Sequence, residues 1–270
     1  MNPFRAKWFA IALLFAPFEL GQGQNSSKTP SVSESIPSDP IEFLSQAAKV
    51  NGLASQDVPS WHAQATFQHI DATLKMQETG TFEGFWKSVH EYKLSYASPS
   101  FSRTIWATPA GDFSTSNSKW PDDMEWAVRR SLFDVTLEPH DMRYFKAAWR
   151  DGADANARCI DILFISAPPN FRREWFPSYC FNANTLVLRY GSETFGRDQA
   201  IFNDIVAVHG TYIARDVELM HAGKPYFHLH IDRLEALPAQ TNAIFRPDPK
   251  AFPIQRRLVL DTDLRYIQTT

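Results

Sequence analysis

The sequence predicts an α+β protein: a curved antiparallel sheet of about 10–11 strands forming an incomplete, half-open β-barrel, with helices across its opening or concave face. Two patterns predict this. Apolar residues recur with period two over many short segments separated by turn residues, the mark of half-buried strands. The helical period appears in only two places, ahead of the first strand and near the middle of the chain. A sheet of that many strands does not stay flat, so it curls, and the two helices find their apolar partner on it.

Residues 1–24 read as an export signal. Arg5 and Lys7 precede the apolar run Trp8–Ala16, which is too short to span a bilayer, and Gly21 and Gly23 offer cleavage near residues 21–24. This predicts a periplasmic or secreted protein. Residues 25–40 are rich in Ser and Pro with little to bury, and are expected to form a disordered leader. The domain proper is expected over 41–237, with 238–270 as an irregular tail carrying one extended segment at Arg257–Leu260.

Within the domain, Asp39 and Pro40 provide the N-cap and first position of a helix whose apolar residues are Ile41, Leu44, Ala47, Ala48 and Val50, and Gly52 stops it. From Trp61 the period changes to two. Trp61, Ala63, Ala65 and Phe67 alternate with polar residues, as do Tyr92, Leu94 and Tyr96, then Phe101, Arg103 and Ile105. Between them Glu78–Trp86 reads as a strand whose Gly80 and Gly84 permit a bulge or sharp bend. A helix over Pro121–Phe133 starts on acids and ends near Arg129 and Arg130, with Met124, Val128 and Leu132 on one face. Residues 139–157 carry no clear pattern. Strand signals return at Cys159–Ile165, Ser178–Asn182, Thr185–Tyr190, Ala200–Val208, Thr211–Met220 and Tyr226–Leu234.

A net charge of -3 argues against nucleic acid as the main partner, since phosphate binding calls for a basic face. The only two cysteines, Cys159 and Cys180, lie on expected neighbouring strands; in an exported protein they read as a disulfide, worth roughly 3 kcal/mol in the chain-entropy view. No GxSxG, HExxH, P-loop, GxGxxG or CxxC pattern occurs, which argues for a non-enzyme without a cofactor. One pattern bears on metal chemistry. His228, His230 and Asp232 alternate with Phe227, Leu229 and Ile231, so they share a face with Tyr226, and two histidines at i and i+2 can chelate, with His209 or His221 as a further ligand. A half-buried strand needs one polar face in any case, and the solvated face is the stronger reading. His62 and His69, at odd spacing, fall on opposite faces of their strand.

The element order also resembles the LolA/LolB-like superfamily of periplasmic outer-membrane lipoprotein carriers. The resemblance covers roughly residues 41–237 and rests on the helix "FLSQAAKVNGL", the strand "SWHAQATFQ", the glycine-bearing pair "TGTFEGFWKSVHEYKLSY" and the closing strands "FNDIVAVHGTYIARDVELMHAGKPYFHLHIDRLEAL". It implies an eleven-stranded open barrel with helices as a lid, sheltering acyl chains; the cysteine pair and long middle region depart from it. On this reading the apolar inner face of Trp61, Phe67, Tyr92, Leu94, Tyr96 and Phe101 binds the ligand, and Met124, Val128 and Leu132 form the lid. The partners are lipid or lipoprotein acyl chains and envelope proteins, met by a monomer. The alternatives are a metal-dependent hydrolase using His228, His230 and Asp232, and a non-catalytic envelope scaffold whose inner face is simply core.

Overall fold

The structure is a computed structural model that describes residues 36–254, apart from 55–57, 72, 74, 118–121, 134, 137–144, 151–155, 166–176, 194–196 and 238–241. The expected export signal, most of the leader and the extended segment at Arg257–Leu260 lie outside the described residues, as does much of 139–157.

Thirteen strands form one antiparallel sheet that does not close. In chain order they are β1 (Trp61–Ile70), β2 (Met76–Ser88), β3 (Glu91–Ala97), β4 (Ser102–Thr108), β5 (Gly111–Ser114), β6 (Phe145–Trp149), β7 (Ala157–Phe164), β8 (Ser178–Asn182), β9 (Leu188–Ser192), β10 (Asp198–Val208), β11 (Thr211–His221), β12 (Lys224–Ala236) and β13 (Phe252–Ile254). Helix α1 (Pro40–Val50) precedes β1, and α2 (Asp123–Leu132) separates β5 from β6. Two meanders, β1–β5 and β6–β12, are joined by the β1–β12 ladder alone, while β13 returns to cover the β5 edge. The strands beyond the ten or eleven expected are short: β5, β6 and β13 have four, five and three residues, too few for an alternating pattern to stand out.

Local chemistry accounts for the helix ends. Asp39 Oδ1 accepts from the N–H groups of Ile41 and Glu42 at 3.0 and 2.9 Å, and Asp122 caps α2 through the N–H of Met124. Gly52, at φ +85, turns the chain after α1; a Cβ there would stand 2.8 Å from Val135 Cγ2.

Gly80 and Gly84 act differently from expectation. The β1–β2 register runs through both without a shift, so neither forms a bulge. They are seats for rings: a Cβ at Gly80 would lie 2.2 Å from Phe67, its cross-strand partner, and one at Gly84 2.8 Å from both Phe82 and Trp61. The pairing is irregular elsewhere: Asp204, at φ +44, and Arg215 opposite it drop out of the β10–β11 pairing without a change of register, and Asp232 is skipped where β12 passes β1, which shifts the register by one. Between them Arg215 of β11 donates to the Ile231 carbonyl at 3.3 Å and faces Asp204 at 3.8 Å. At that line the sheet forks. β11 pairs with β12 only from Asp216 to His221, whereas Thr211–Ala214 pair only with β10. The chain after α1 enters the fork, with Asn51 bridged to Tyr212 and the Gly52 N–H bonded to the Tyr212 carbonyl.

Candidate functional site

The concave face is covered by both helices, and its two halves are filled differently. On the β1–β4 side aromatic rings make a continuous stack: Trp61 on Trp86 at 5.8 Å, and Trp86 on Tyr92 at 5.1 Å, both nearly parallel. Phe133, just past α2, sits about equally against Trp61, Trp86 and Phe82 at 6.0–6.1 Å. Phe82 then meets Tyr96, and Phe67 meets Phe227. Of the residues expected to line a ligand site, Trp61, Phe67, Tyr92, Leu94 and Tyr96 are thus brought together and are all at most 4% exposed; Phe101 is half-buried beside Tyr96. Val128 and Leu132 of α2 are buried and Met124 partly so, as expected of the face that α2 turns to the sheet.

At the fork the lining is mostly aliphatic, with Phe202 and Tyr212 among it, and less complete. A cavity of about 10 Å³, room for about one water, lies among Gly52, Leu132, Val135, Leu188, Phe202 and Ile213. Asn51 closes it from the α1 side: its amide donates to the carbonyls of Ala47 and Leu186 at 2.8 Å and accepts from the Leu188 N–H at 3.0 Å. The Leu53 N–H reaches the Leu132 carbonyl, tying the fork plug to the end of α2.

Two ion pairs fix α2 across the halves. Glu125, 2% exposed, accepts from Arg103 Nη1 at 2.9 Å, and Arg103 Nε donates to Ser114 Oγ at 3.0 Å. Burial pushes the Glu125 carboxyl above its ordinary range, opposed by the charges of Arg103 and Arg129. At the other end Arg130 pairs with the more exposed Glu193 at 3.0 Å and bonds Tyr226, whose phenol burial pushes up. Nothing in the sequence periodicity flagged Arg103–Glu125; an acid and a base at inward-facing positions of a strand and a helix were the available signal.

The convex face holds the histidines. Tyr226 does not share it: a register shift between Leu219 and Met220 leaves Tyr226 out of the β11–β12 ladder and turns it to Arg130 on the concave side. His228 and His230 converge on Asp216 of β11, at 3.1 and 3.4 Å, whereas Asp232 sits in the bulge and accepts from Thr66 at 2.7 Å. Asp232 keeps the face of the histidines, since Thr66 stands opposite His230, but it bonds Thr66 while the histidines bond Asp216 of the neighbouring strand, a pairing that alternation along one strand does not show. His221 bonds Asp198, and His209 lies in the β10–β11 turn. Among the described residues no group of three His, Cys, Asp or Glu side chains is placed to hold a metal ion.

Near the β1–β12 seam His62 lies flat on Phe85, its Nε2 3.0 Å from Glu83 and its Nδ1 2.9 Å from Glu235. Burial works against ionisation of Glu83, but hydrogen bonds from Gln64 and His62 outweigh it, and Glu235 is lowered chiefly by its bond to His62; both carboxyls end below the ordinary range. Cys159 and Cys180 are directly opposed on β7 and β8 and form the expected disulfide. An open groove of about 310 Å³ lies on the surface between the β4–β5 turn and residues 242–247. Among the described residues no helix is long and apolar enough to cross a membrane.

No family model and no curated protein matches the chain in sequence. Solved structures resemble it in fold. A LolA superfamily protein from Nitrosomonas europaea superposes with a TM-score of 0.51 at 8% identity, over 78% of this chain and 99% of that one. A DUF1329 family protein from Desulfovibrio piger gives 0.48 at 12% identity, over 77% and 98%. A putative outer membrane lipoprotein-sorting protein domain from Vibrio parahaemolyticus gives 0.43 at 9%, over 70% and 89%. The chain has a LolA-like fold: an open, curved antiparallel sheet with two helices on its concave face.

Proposed function

We propose that this chain is an exported, non-enzymatic envelope protein that shelters an apolar chain, of the acyl class, on the concave face of its sheet. A LolA-like fold supports a binding or carrier role in the periplasm. The observation that carries the reading is the fork. There a cavity is already present, the lining is mostly aliphatic, and the cover is a short peptide and the end of α2. Uptake of a chain several carbons long needs far more room than one water, so α2 and Asn51–Ala54 move away from β9–β11 as the ligand enters. The aromatic half serves as the fixed wall, because its rings are stacked on one another and buried. Lipid or lipoprotein acyl chains are the ligands, and envelope proteins deliver or receive them.

The test is native mass spectrometry of the protein taken from an envelope fraction, followed by organic extraction and titration of the delipidated protein with a fluorescent fatty-acid analogue. An extractable added mass, and probe binding that Ile213→Trp blocks, are expected. A bare polypeptide that takes up no probe overturns the carrier. That result would favour the second reading, a non-catalytic scaffold, for which the observation is the near-complete burial of the concave aromatics.

A further inference from the structure

The short peptide that fills the fork is held on its two sides by different groups. Toward α2 and the aromatic wall the backbone of Leu53 does the holding: its N–H donates to the Leu132 carbonyl at 2.7 Å, and its carbonyl accepts from Trp61 Nε1 at 3.0 Å. Toward the fork strands the Gly52 N–H donates to the Tyr212 carbonyl at 3.1 Å, and two further bonds come from one side chain. Asn51, 6% exposed, donates from Nδ2 to the Leu186 carbonyl at 2.8 Å and accepts the Leu188 N–H on Oδ1 at 3.0 Å. A carbonyl and an N–H two residues apart are the pair that one residue of a parallel strand engages, so this amide pairs with the chain entering β9 as a strand residue would. Nδ2 also donates to the Ala47 carbonyl of α1 at 2.8 Å.

We infer that the Asn51 side chain is the latch of the fork: its amide holds the plug shut, and the site opens when that amide releases Leu186 and Leu188. The inference rests on the carrier reading above and names what gates its site. Trp61 is stacked on Trp86 in the fixed wall, so Leu53 is the pivot of the plug and Asn51 its free end. The bonds divide accordingly. Those to Ala47 and Leu132 travel with the plug; those to Leu186, Leu188 and Tyr212 cross the gap that opens, and Asn51 makes two of these three. Leu186 is half-buried, so its carbonyl meets water on release. Leu188 is 2% exposed, and its N–H, left without an acceptor, favours reclosure once the ligand leaves.

Asn51→Asp separates the latch from its surroundings, because it keeps an acceptor for Leu188 and loses both donors, so an oxygen faces the Ala47 and Leu186 carbonyls. The measurement is amide hydrogen exchange of the full chain without ligand. Protection at Leu188 and Gly52 is expected to fall together by at least about tenfold, the scale of one lost buried hydrogen bond, with Leu53 and the β1–β2 ladder unchanged. Gly52 is the deciding amide: the substitution alters neither its N–H nor the Tyr212 carbonyl, so its exchange reports movement of the plug. If Asn51→Asp does not fold, the wild-type chain serves in urea below its unfolding transition, where Leu188 and Gly52 are expected to exchange through one shared local opening well before the β1–β2 ladder. Uptake of a fluorescent fatty-acid analogue is followed separately and is expected to be faster in Asn51→Asp by a similar factor. Faster exchange with no uptake by either protein overturns the carrier reading and leaves the latch standing. Unchanged protection at Gly52 in the variant, or exchange of Leu188 and Gly52 only together with the ladder, overturns the latch whether or not the probe binds; so does uptake at an unchanged rate.

Discussion

The β1–β5 meander and the β9–β12 strands belong to one sheet and share one concave face, yet they solve its packing in opposite ways. The first stacks flat rings over glycines; the second sets mostly aliphatic side chains around a fork that holds a small cavity. Interiors pack at crystal density, so rigidity follows the quality of the fit. The aromatic half is therefore the scaffold, and the forked half is where the fold has room to open.

Cutting at the two ends of α2 tests this comparison most strongly. Glu125→Ala leaves Arg103 buried without its carboxylate and is expected to cost about 3–5 kcal/mol, measured by urea unfolding, while Arg103→Met with Glu125→Leu recovers most of it. Arg130→Ala, whose partner Glu193 is nearly half exposed, is expected to cost only about 1 kcal/mol or less from the lost ion pair. Equal costs would mean that α2 is held alike at both ends, and that its end at the fork is no freer to move.

The stacked rings come next. Trp86→Ala opens a hole between Trp61 and Tyr92 and is expected to cost about 3–5 kcal/mol; Ile213→Ala, beside an existing cavity, about 2–3 kcal/mol. A smaller contrast sharpens the same point with glycines. Gly80→Ala drives a methyl into Phe67 and the Ala97 carbonyl, for about 1–3 kcal/mol, whereas Gly191→Ala on β9 meets nothing closer than 3.5 Å and is expected to change stability by at most about 0.5 kcal/mol. Thermal melts of both variants separate the cases.

The smallest effect is in pH. Glu83 and Glu235 have carboxyl values below the ordinary 4.5, so they contribute stability above pH 4.5 that is lost as pH falls through their folded values. Glu125 runs the other way: its value lies above 4.5, so the burial penalty of its charge is relieved as pH falls through that higher value. The seam should weaken in acid below the window in which the α2 anchor gains a proton. His62→Ala should flatten the acid limb of a urea-stability series, and Glu125→Gln the upper one; an unchanged profile in both variants would remove the contrast.

What the sequence determined by itself was everything that depends on short-range periodicity and local caps. Alternation marked the long strands from Trp61 to Tyr96 and from Thr211 to Leu234, and Asp39, Pro40 and Gly52 marked α1, because each signal lies within a few residues of the backbone it controls. The cysteines announced their pairing through compartment and strand placement. Tertiary structure alone decided what depends on interruptions of the period. A bulge adds one residue and flips the side chains beyond it, so Tyr226 crossed to the concave side, while the carboxylate that the histidines bond, Asp216, came from the neighbouring strand. The glycines of β2 read as a bulge or bend in the sequence, and only the packed sheet shows them as seats for Phe67, Phe82 and Trp61. The fork and the Arg103–Glu125 anchor join residues tens to more than a hundred positions apart, beyond the reach of any local pattern.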